Sequence, residues 1–281
     1  MNMTDTTSIA QAQHRPQAIA HRGGNGEWPG ETMGAYENAM RLGVDVLEMD
    51  VYLTRDDQLV LMHDRRVEDT TNGEGHVWDF TLEEIQKLNA GYNWAAADGT
   101  FPYHKELSKF EEPLRSQLRV PSFVEVFNAF PQVRMIVEMK PARKSPAAAL
   151  WDLIKNSGMT ANLQVASFSD KYIDQFRDLS GGAVATSTSV EEFGELLLGL
   201  HGFEKHPVRP VVVDAPHWLL TEHQLAGLRG HGYQVQAWTV NKIEDMDRMI
   251  ALGVDGIITD YPCALLQRLH RRTEKCDIVP Q

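Results

Sequence analysis

From residue 17 almost to residue 272, short apolar, β-branched runs alternate with amphipathic stretches of helical spacing. That alternation predicts βαβ units and a parallel sheet. The runs place strands near 17–21, 45–52, 133–139, 162–167, 182–187, 210–214, 233–238 and 256–259. Between them the periodicity predicts helices near 31–42, 122–129, 146–157, 170–179, 190–199, 221–229, 243–251 and 263–272. Strands and helices in these numbers close a TIM (β/α)₈ barrel, so the expected fold is an α/β barrel in one domain over 17–272.

Two segments break the alternation. A further apolar run near 58–63 follows the second strand after only Thr54-Arg55-Asp56-Asp57. So short a link cannot make a parallel crossover and predicts an antiparallel hairpin, which returns His63 to the level of Glu48 and Asp50. Residues 90–119 lack clear periodicity and carry Tyr92, Trp94, Phe101, Tyr103 and Phe110. A loop that long in a compact domain reads either as a lid-like insertion over a binding site or as a surface excursion packed on its own aromatics.

The strand ends hold the candidate chemistry. Ala18-Ile19-Ala20-His21-Arg22-Gly23 ends a strand in His-Arg before a glycine turn, at the edge where barrel enzymes keep their sites. Arg22 can pair bidentately with a phosphate. In Val46-Leu47-Glu48-Met49-Asp50-Val51 two carboxylates lie two residues apart and project from one face of an apolar strand. Their mutual repulsion points to a cation between them, the alternative being a pair of salt bridges to Arg or Lys. Glu138 and Lys140 repeat the arrangement on a later strand, adding a third oxygen ligand and a cation. A carboxylate set without histidine or cysteine favours a hard divalent ion, Mg²⁺ or Ca²⁺, over Zn²⁺. His63, at the end of the hairpin, supplies a second imidazole, and two imidazoles can share the acid and base roles of phosphoryl transfer.

These residues resemble a known family. His21-Arg22-Gly23, Glu48-x-Asp50-Val51, His63-Asp64, Glu138-x-Lys140, Trp238-Thr239-Val240-Asn241 and Thr259-Asp260-Tyr261-Pro262 are similar, in order and spacing, to the signature of the glycerophosphodiester phosphodiesterases. The resemblance implies a TIM barrel, a divalent cation on Glu48, Asp50 and Glu138, and acid/base catalysis by His21 and His63. It also implies that Arg22 and Lys140 hold the phosphate and that Trp238 lines the glycerol pocket. The implied reaction releases glycerol 3-phosphate and an alcohol, with the glycerol 2-hydroxyl attacking phosphorus first and water opening the cyclic phosphate. Where the family reads Pro-Glu-Asn-Thr, this chain has Pro29-Gly30-Glu31-Thr32, which bears on substrate contacts and local metal geometry.

Composition narrows the picture. A formal net charge of -12 excludes a general nucleic-acid binder, so an anionic substrate must be drawn by a bound metal and a few residues such as Arg22 and Lys140. Residues 1–16 are polar and lack a secretory apolar run, so a disordered leader is expected there, and a short tail over 273–281. No stretch is long and apolar enough to cross a bilayer, and Cys263 and Cys276 are too few for a disulfide framework, which leads to the expectation of a cytoplasmic protein. The helices carry no apolar stripe that reveals an oligomeric state.

Three rival readings stand beside the main one. Gly24-x-Gly26 after a strand suggests dinucleotide binding, but Pro29 replaces the third glycine and the histidines go unexplained. The altered Pro29–Thr32 segment suggests a catalytically silent phosphodiester-binding protein. The aromatics from Tyr92 to Phe110 suggest a lysophospholipase D whose lid receives the acyl chain of a lysophospholipid. His14, His76, His104, His201, His206, His223, His231 and His270 read as surface residues, whereas His217 could reach the barrel mouth. The run Glu191-Glu192 with Glu195 reads as a solvated helix face.

Overall fold

The protein is described from a computed structural model covering residues 15–199, 206–271 and 276. Most of the expected leader and tail, with His14, His201 and Arg272, lie outside the described residues. Among the described residues nine strands form one sheet: β1 (Gln17–Ala20), β2 (Val46–Leu53), β3 (Leu59–Leu61), β4 (Arg134–Met139), β5 (Leu163–Ala166), β6 (Ala185–Thr186), β7 (Val212–Pro216), β8 (Gln234–Trp238) and β9 (Gly256–Thr259). The helices are α1 (Met33–Leu42), α2 (Leu82–Ile85), α3 (Leu114–Leu118), α4 (Phe123–Ala129), α5 (Ala147–Ile154), α6 (Asp170–Ser180), α7 (Val190–Leu197), α8 (Glu222–Gly230), α9 (Ile243–Leu252) and α10 (Pro262–Arg268).

Eight strands run parallel in the order β6-β5-β4-β2-β1-β9-β8-β7, and β3 pairs antiparallel with β2 outside that path. The ends meet through a parallel bridge between Ser187 and Val212, with Thr188 N donating to Val212 O at 2.9 Å and Val211 N to Thr186 O at 3.1 Å. The result is a nearly closed TIM barrel, as the alternation predicts. Every residue of β2 is buried, because helices cover the outer face while side chains fill the lumen. Ile19, Val46, Ile136 and Ile258 pack inside the barrel. Their neighbours Ala18, Ala20, Leu47 and Val137 join the layer under the helices.

The seam between β6 and β7 is braced by a buried cation. β6 has only two residues, against the six expected over 182–187. Arg177 on α6 is fully buried and donates to Thr186 Oγ1 at 3.1 Å, to Ser187 O at 3.0 Å, and to both oxygens of Glu192 at 2.8 and 2.9 Å. Glu192 also accepts from Ser189 N, capping α7. The expected solvated acidic face is therefore corrected at Glu192: its carboxylate turns inward because a buried guanidinium needs a charged, bidentate partner.

The segment 90–119 settles mainly on itself. Tyr103, Leu107, Phe110 and Leu118 form a small core with Trp94 and Leu114 against it. The fully buried Asn89 ties it down, donating to Tyr103 O and Lys105 O, both at 2.8 Å. Helices α2 and α3 have no counterpart in the sequence pattern, since each is too short to show periodicity. Cys263 and Cys276 form a disulfide linking the start of α10 to the tail. That cross-link removes the argument from cysteine usage to a reducing compartment. Among the described residues no helix is long and apolar enough to cross a membrane.

Candidate active site

The site is assembled at the carboxyl ends of β1, β2, β4 and β9, with one group delivered by the β2–β3 hairpin. After β1 the chain enters a single tight turn, His21–Gly23, in which Arg22 takes a left-handed φ of 52°. Gly23 is required there, because a Cβ would come within 2.8 Å of the Ala35 side chain on α1. The glycines of this loop thus serve close packing, which leaves the dinucleotide reading without support.

On β2 the register places Glu48 beside Ile136 and Asp50 beside Glu138, so alternation aims all three carboxylates into the barrel mouth. One oxygen from each lies within 4.8 Å of the others. The cluster is tied by Arg22 N donating to Glu48 Oε2 at 2.9 Å and by Lys140, whose Nζ lies 3.0 Å from Asp50 Oδ1 and 2.8 Å from Glu138 Oε1. Arg22 Nε lies 3.6 Å from Asp50 Oδ2. Salt bridges to Arg and Lys, the alternative to a metal, are therefore present, but two cations face the three clustered acids, two buried and one nearly so. Burial and repulsion from Asp50 push Glu48 well up and carry Glu138 to about 7. Burial would raise Asp50 too, yet Lys140, His63 and Arg22 outweigh it and hold Asp50 below the usual carboxylate range. Both Asp50 oxygens and Glu138 Oε1 lack a well-aligned hydrogen-bond donor among the described residues. A buried carboxylate set short of donors and of positive charge fits a hard divalent cation.

Each imidazole is oriented by its own carboxylate. His21 Nδ1 lies 2.7 Å from Asp260 Oδ1, and its other face points toward Glu48, with Nε2 4.0 Å from Oε2. Asp260 is held by Asn241, whose Nδ2 donates to Oδ2 at 2.6 Å while its Oδ1 accepts from Asp260 N at 3.0 Å. Burial lowers the His21 pKa against the pull of Asp260, which favours a neutral ring. His63 Nδ1 lies 2.8 Å from Asp64 Oδ1, and that hydrogen bond holds Asp64 below its ordinary value. The hairpin register, Val51 opposite Leu61 and Met62 N donating to Asp50 O, brings His63 alongside Glu48 and Asp50 as expected.

Two cavities flank this centre, and both are lined in part by Arg22 and His63. One, of about 520 Å³, is polar and bounded by Asn25, Asp64, Asp69, Trp94 and Tyr261. The other, of about 500 Å³, contains His21, Glu48, Glu138 and Lys140 and runs on between Phe168, Phe193 and Trp238. Trp238 meets Phe168 edge-on at 5.8 Å and Trp218 at 5.9 Å. Of the insertion's aromatics, only Trp94 lines either cavity. His217 stays out of both, its ring 3.1 Å from Arg248 Nη2 and 3.5 Å from Asp245.

Sequence reasoning assigns no role to Asp64, Asn241 and Asp260, although the motifs contain them. Glu31 is a further addition. At a left-handed φ of 58°, a conformation asparagine adopts more readily, it is buried and accepts from Asp50 N at 3.0 Å and from Tyr36 OH at 2.5 Å. The departure from the family pattern thus supports the backbone of the carboxylate strand while bordering the polar cavity.

Comparison with known proteins agrees with this geometry. The model of the glycerophosphoryl diester phosphodiesterase family matches residues 21–180 and 203–264. A glycerophosphodiester phosphodiesterase of Caldanaerobacter subterraneus subsp. tengcongensis is 32% identical over 262 residues, covering 90% of this chain and 97% of that protein. A lysophospholipase D of Rattus norvegicus is 24% identical, covering 90% of this chain and 85% of that one. Among solved structures, a phosphodiesterase of Oleispira antarctica in complex with the product sn-glycerol-3-phosphate superposes with a TM-score of 0.71 at 22% identity, covering 91% and 97%. The chain belongs to the glycerophosphoryl diester phosphodiesterase family and is a phosphoric diester hydrolase of that family.

Proposed function

We propose that the protein hydrolyses glycerophosphodiesters to glycerol 3-phosphate and an alcohol, dependent on one divalent cation, Mg²⁺ or Ca²⁺. The observation that carries this reading is the convergence of Glu48, Asp50 and Glu138 within 4.8 Å, bordered by His21 and His63 in one cavity. The three carboxylates would hold the cation, which supplies Lewis-acid stabilisation of charge developing on the phosphoryl oxygens. Arg22 and Lys140 grip the phosphate, and Trp238 packs against the glycerol. One imidazole takes the proton of the attacking hydroxyl as its oxygen bonds to phosphorus. The other gives a proton to the alcohol oxygen as its bond to phosphorus breaks, which leaves a cyclic phosphate; in a second step water, deprotonated by one ring, bonds to phosphorus while the other ring protonates the glycerol 2-oxygen as its bond to phosphorus breaks, so that overall one water is consumed. Asp260 and Asp64 fix the ring tautomers by accepting from Nδ1, leaving Nε2 toward the reacting atoms. The buried, neutral-leaning His21 suits the proton acceptor, and His63, which also borders the polar cavity, suits the donor to the leaving alcohol.

Metal depletion and add-back over a panel of glycerophosphodiesters tests this reading. Turnover should vanish with the metal and return with Mg²⁺ or Ca²⁺; turnover indifferent to chelation, or binding without cleavage, would leave the silent binding protein as the better account. A lysophospholipase D activity is a second reading, favoured by the apolar side of the cavity beside Trp238 and not by the self-packed 90–119 segment.

A further inference from the structure

The opposite face of the barrel holds a cavity of its own. At the amino ends of the strands, a space of about 370 Å³ is lined by Arg15, Pro16, Gln17, Asp45, Arg134 and Arg271. That volume lies in the range of small-molecule sites, roughly 300–1,000 Å³. Three strands start there: Gln17 opens β1, Asp45 directly precedes β2, and Arg134 opens β4 opposite Val46. They are the strands whose far ends lead into His21, Glu48, Asp50 and Glu138. The chain has a formal net charge of -12, yet here three arginines from distant segments face one acid. Like charges brought together against their own repulsion make a local field for an anion.

The hydrogen bonds already made leave much of this set unspent. Arg271 is committed, with Nη1 on Asp45 Oδ2 and Nη2 on Gly43 O. Asp45 Oδ2 also accepts from Ala18 N at 2.8 Å, which fixes the acid in the floor and leaves Oδ1 without a donor among the described residues. Arg15 spends one donor, Nη2, on Leu269 O at 2.6 Å. The side chains of Arg134 and Gln17 have no partner among the described residues. A guanidinium fork matches a pair of phosphate oxygens, and the free Asp45 oxygen offers what a plain cationic patch lacks, an acceptor for an O–H of the ligand.

We propose that this cavity is an anion site, remote from the reaction centre, for a phosphate group that carries a neighbouring O–H, either inorganic hydrogen phosphate or a hydroxylated phosphomonoester. Arg15 and Arg134 grip the phosphate oxygens, Gln17 donates beside them, Arg271 adds charge, and Asp45 accepts from the hydroxyl. The bound anion joins the segment before β1 to β4 and so braces the floor beneath the carboxylate cluster.

Isothermal titration of the metal-loaded full chain with inorganic phosphate, glycerol 3-phosphate and sulfate, at fixed ionic strength, tests the site. The reaction centre can hold phosphate too, so the diagnostic component is the one that depends on Arg134. Arg134→Ala should weaken that component about tenfold while leaving kcat/KM for a glycerophosphodiester unchanged, and Arg15→Ala should weaken the same component. Sulfate, which has no O–H at neutral pH, should bind there about tenfold more weakly than phosphate. Whichever of inorganic phosphate and glycerol 3-phosphate binds there more tightly identifies the source. Isotherms unchanged in Arg134→Ala overturn the site; should that variant fail to fold, an unchanged Arg15→Ala isotherm does so alone. Sulfate binding as tightly as phosphate overturns the role of Asp45.

Discussion

The two halves of the barrel mouth solve opposite problems. The half built from β9, β1, β2 and β4 crowds Asp260, Glu48, Asp50 and Glu138 against two cations and an imidazole, with Asp50 and Glu138 in ion pairs to Lys140 but without a well-aligned hydrogen-bond donor among the described residues. The half built from β5 to β8 is closed by a side-chain hydrogen-bond network around Gln164, Ser187, Gln236 and Asp214. Gln164 Nε2 donates to Ser187 Oγ at 2.9 Å, Gln236 Nε2 to Gln164 Oε1 at 3.1 Å, and Ser187 Oγ to Asp214 Oδ2 at 2.5 Å. One fold thus carries a strained, charge-crowded arc and a satisfied one. Among the described residues, polar groups without hydrogen-bond partners concentrate on the first arc, at Arg22, Asp50 and Glu138, with the Thr188 hydroxyl an exception on the second.

Substitutions can break that contrast, and the largest effect is expected at the crowded arc. Glu48→Gln should abolish metal binding and cut turnover by at least about 10³-fold, yet raise the melting temperature of the metal-free protein by relieving repulsion. Equilibrium dialysis, turnover and calorimetry on one sample check all three, and a metal-free variant less stable than the parent would contradict the crowding. His21→Ala and His63→Ala should each lower kcat by roughly 10²–10⁴ with metal still bound. On the second arc, Arg177→Ala should leave the Glu192 carboxylate buried without a cationic partner and cost about 3–5 kcal/mol in denaturant unfolding, with little change in activity per folded molecule. Asp260→Asn should reduce kcat by roughly 10–10²-fold without changing KM, since it disturbs the tautomer and orientation of the His21 ring.

The smallest effect concerns pH. Burial raises the Asp214 carboxyl to about 6 against hydrogen bonds from Ser187 and Gln164. With the folded value above the unfolded one, the native state binds the extra proton. Stability from this group is therefore full below about pH 4 and is lost as pH rises through about 6. Asp214→Asn should remove that loss, gaining on the order of 1 kcal/mol at pH 7 and little at pH 4. Unfolding curves at the two pH values measure it, and an equal change at both would refute the assignment.

How far the sequence carries depends on which physical signal each part leaves. The lumen-facing alternation of Val46, Glu48 and Asp50, and of Ile136 and Glu138, survives as a period of two, so strands and carboxylates are legible together. His63 is legible because the turn after β2 is too short for any geometry but a hairpin. Strand β6 is overestimated because its seam is secured by Arg177 from another helix, a contact no local pattern encodes. The His21–Asp260 pair joins residues 239 apart, yet it follows from barrel closure: Ala20 pairs with Thr259, so the residues after each must adjoin.

The hairpin has one more consequence. Because β3 lies off the path of parallel strands, His63 belongs to an arm held to β2 by the Val51–Leu61 to Leu53–Leu59 ladder and a five-residue reversal, and steadied by a bridge from Val60 to Ser122 and a bond from Leu61 N to Pro121 O. The barrel can therefore keep its shape while this arm is lengthened or shortened. A single inserted residue at Asp56 would turn the imidazole to the opposite side of the arm and silence the enzyme without unfolding it. Activity and architecture are separable here by one peptide unit.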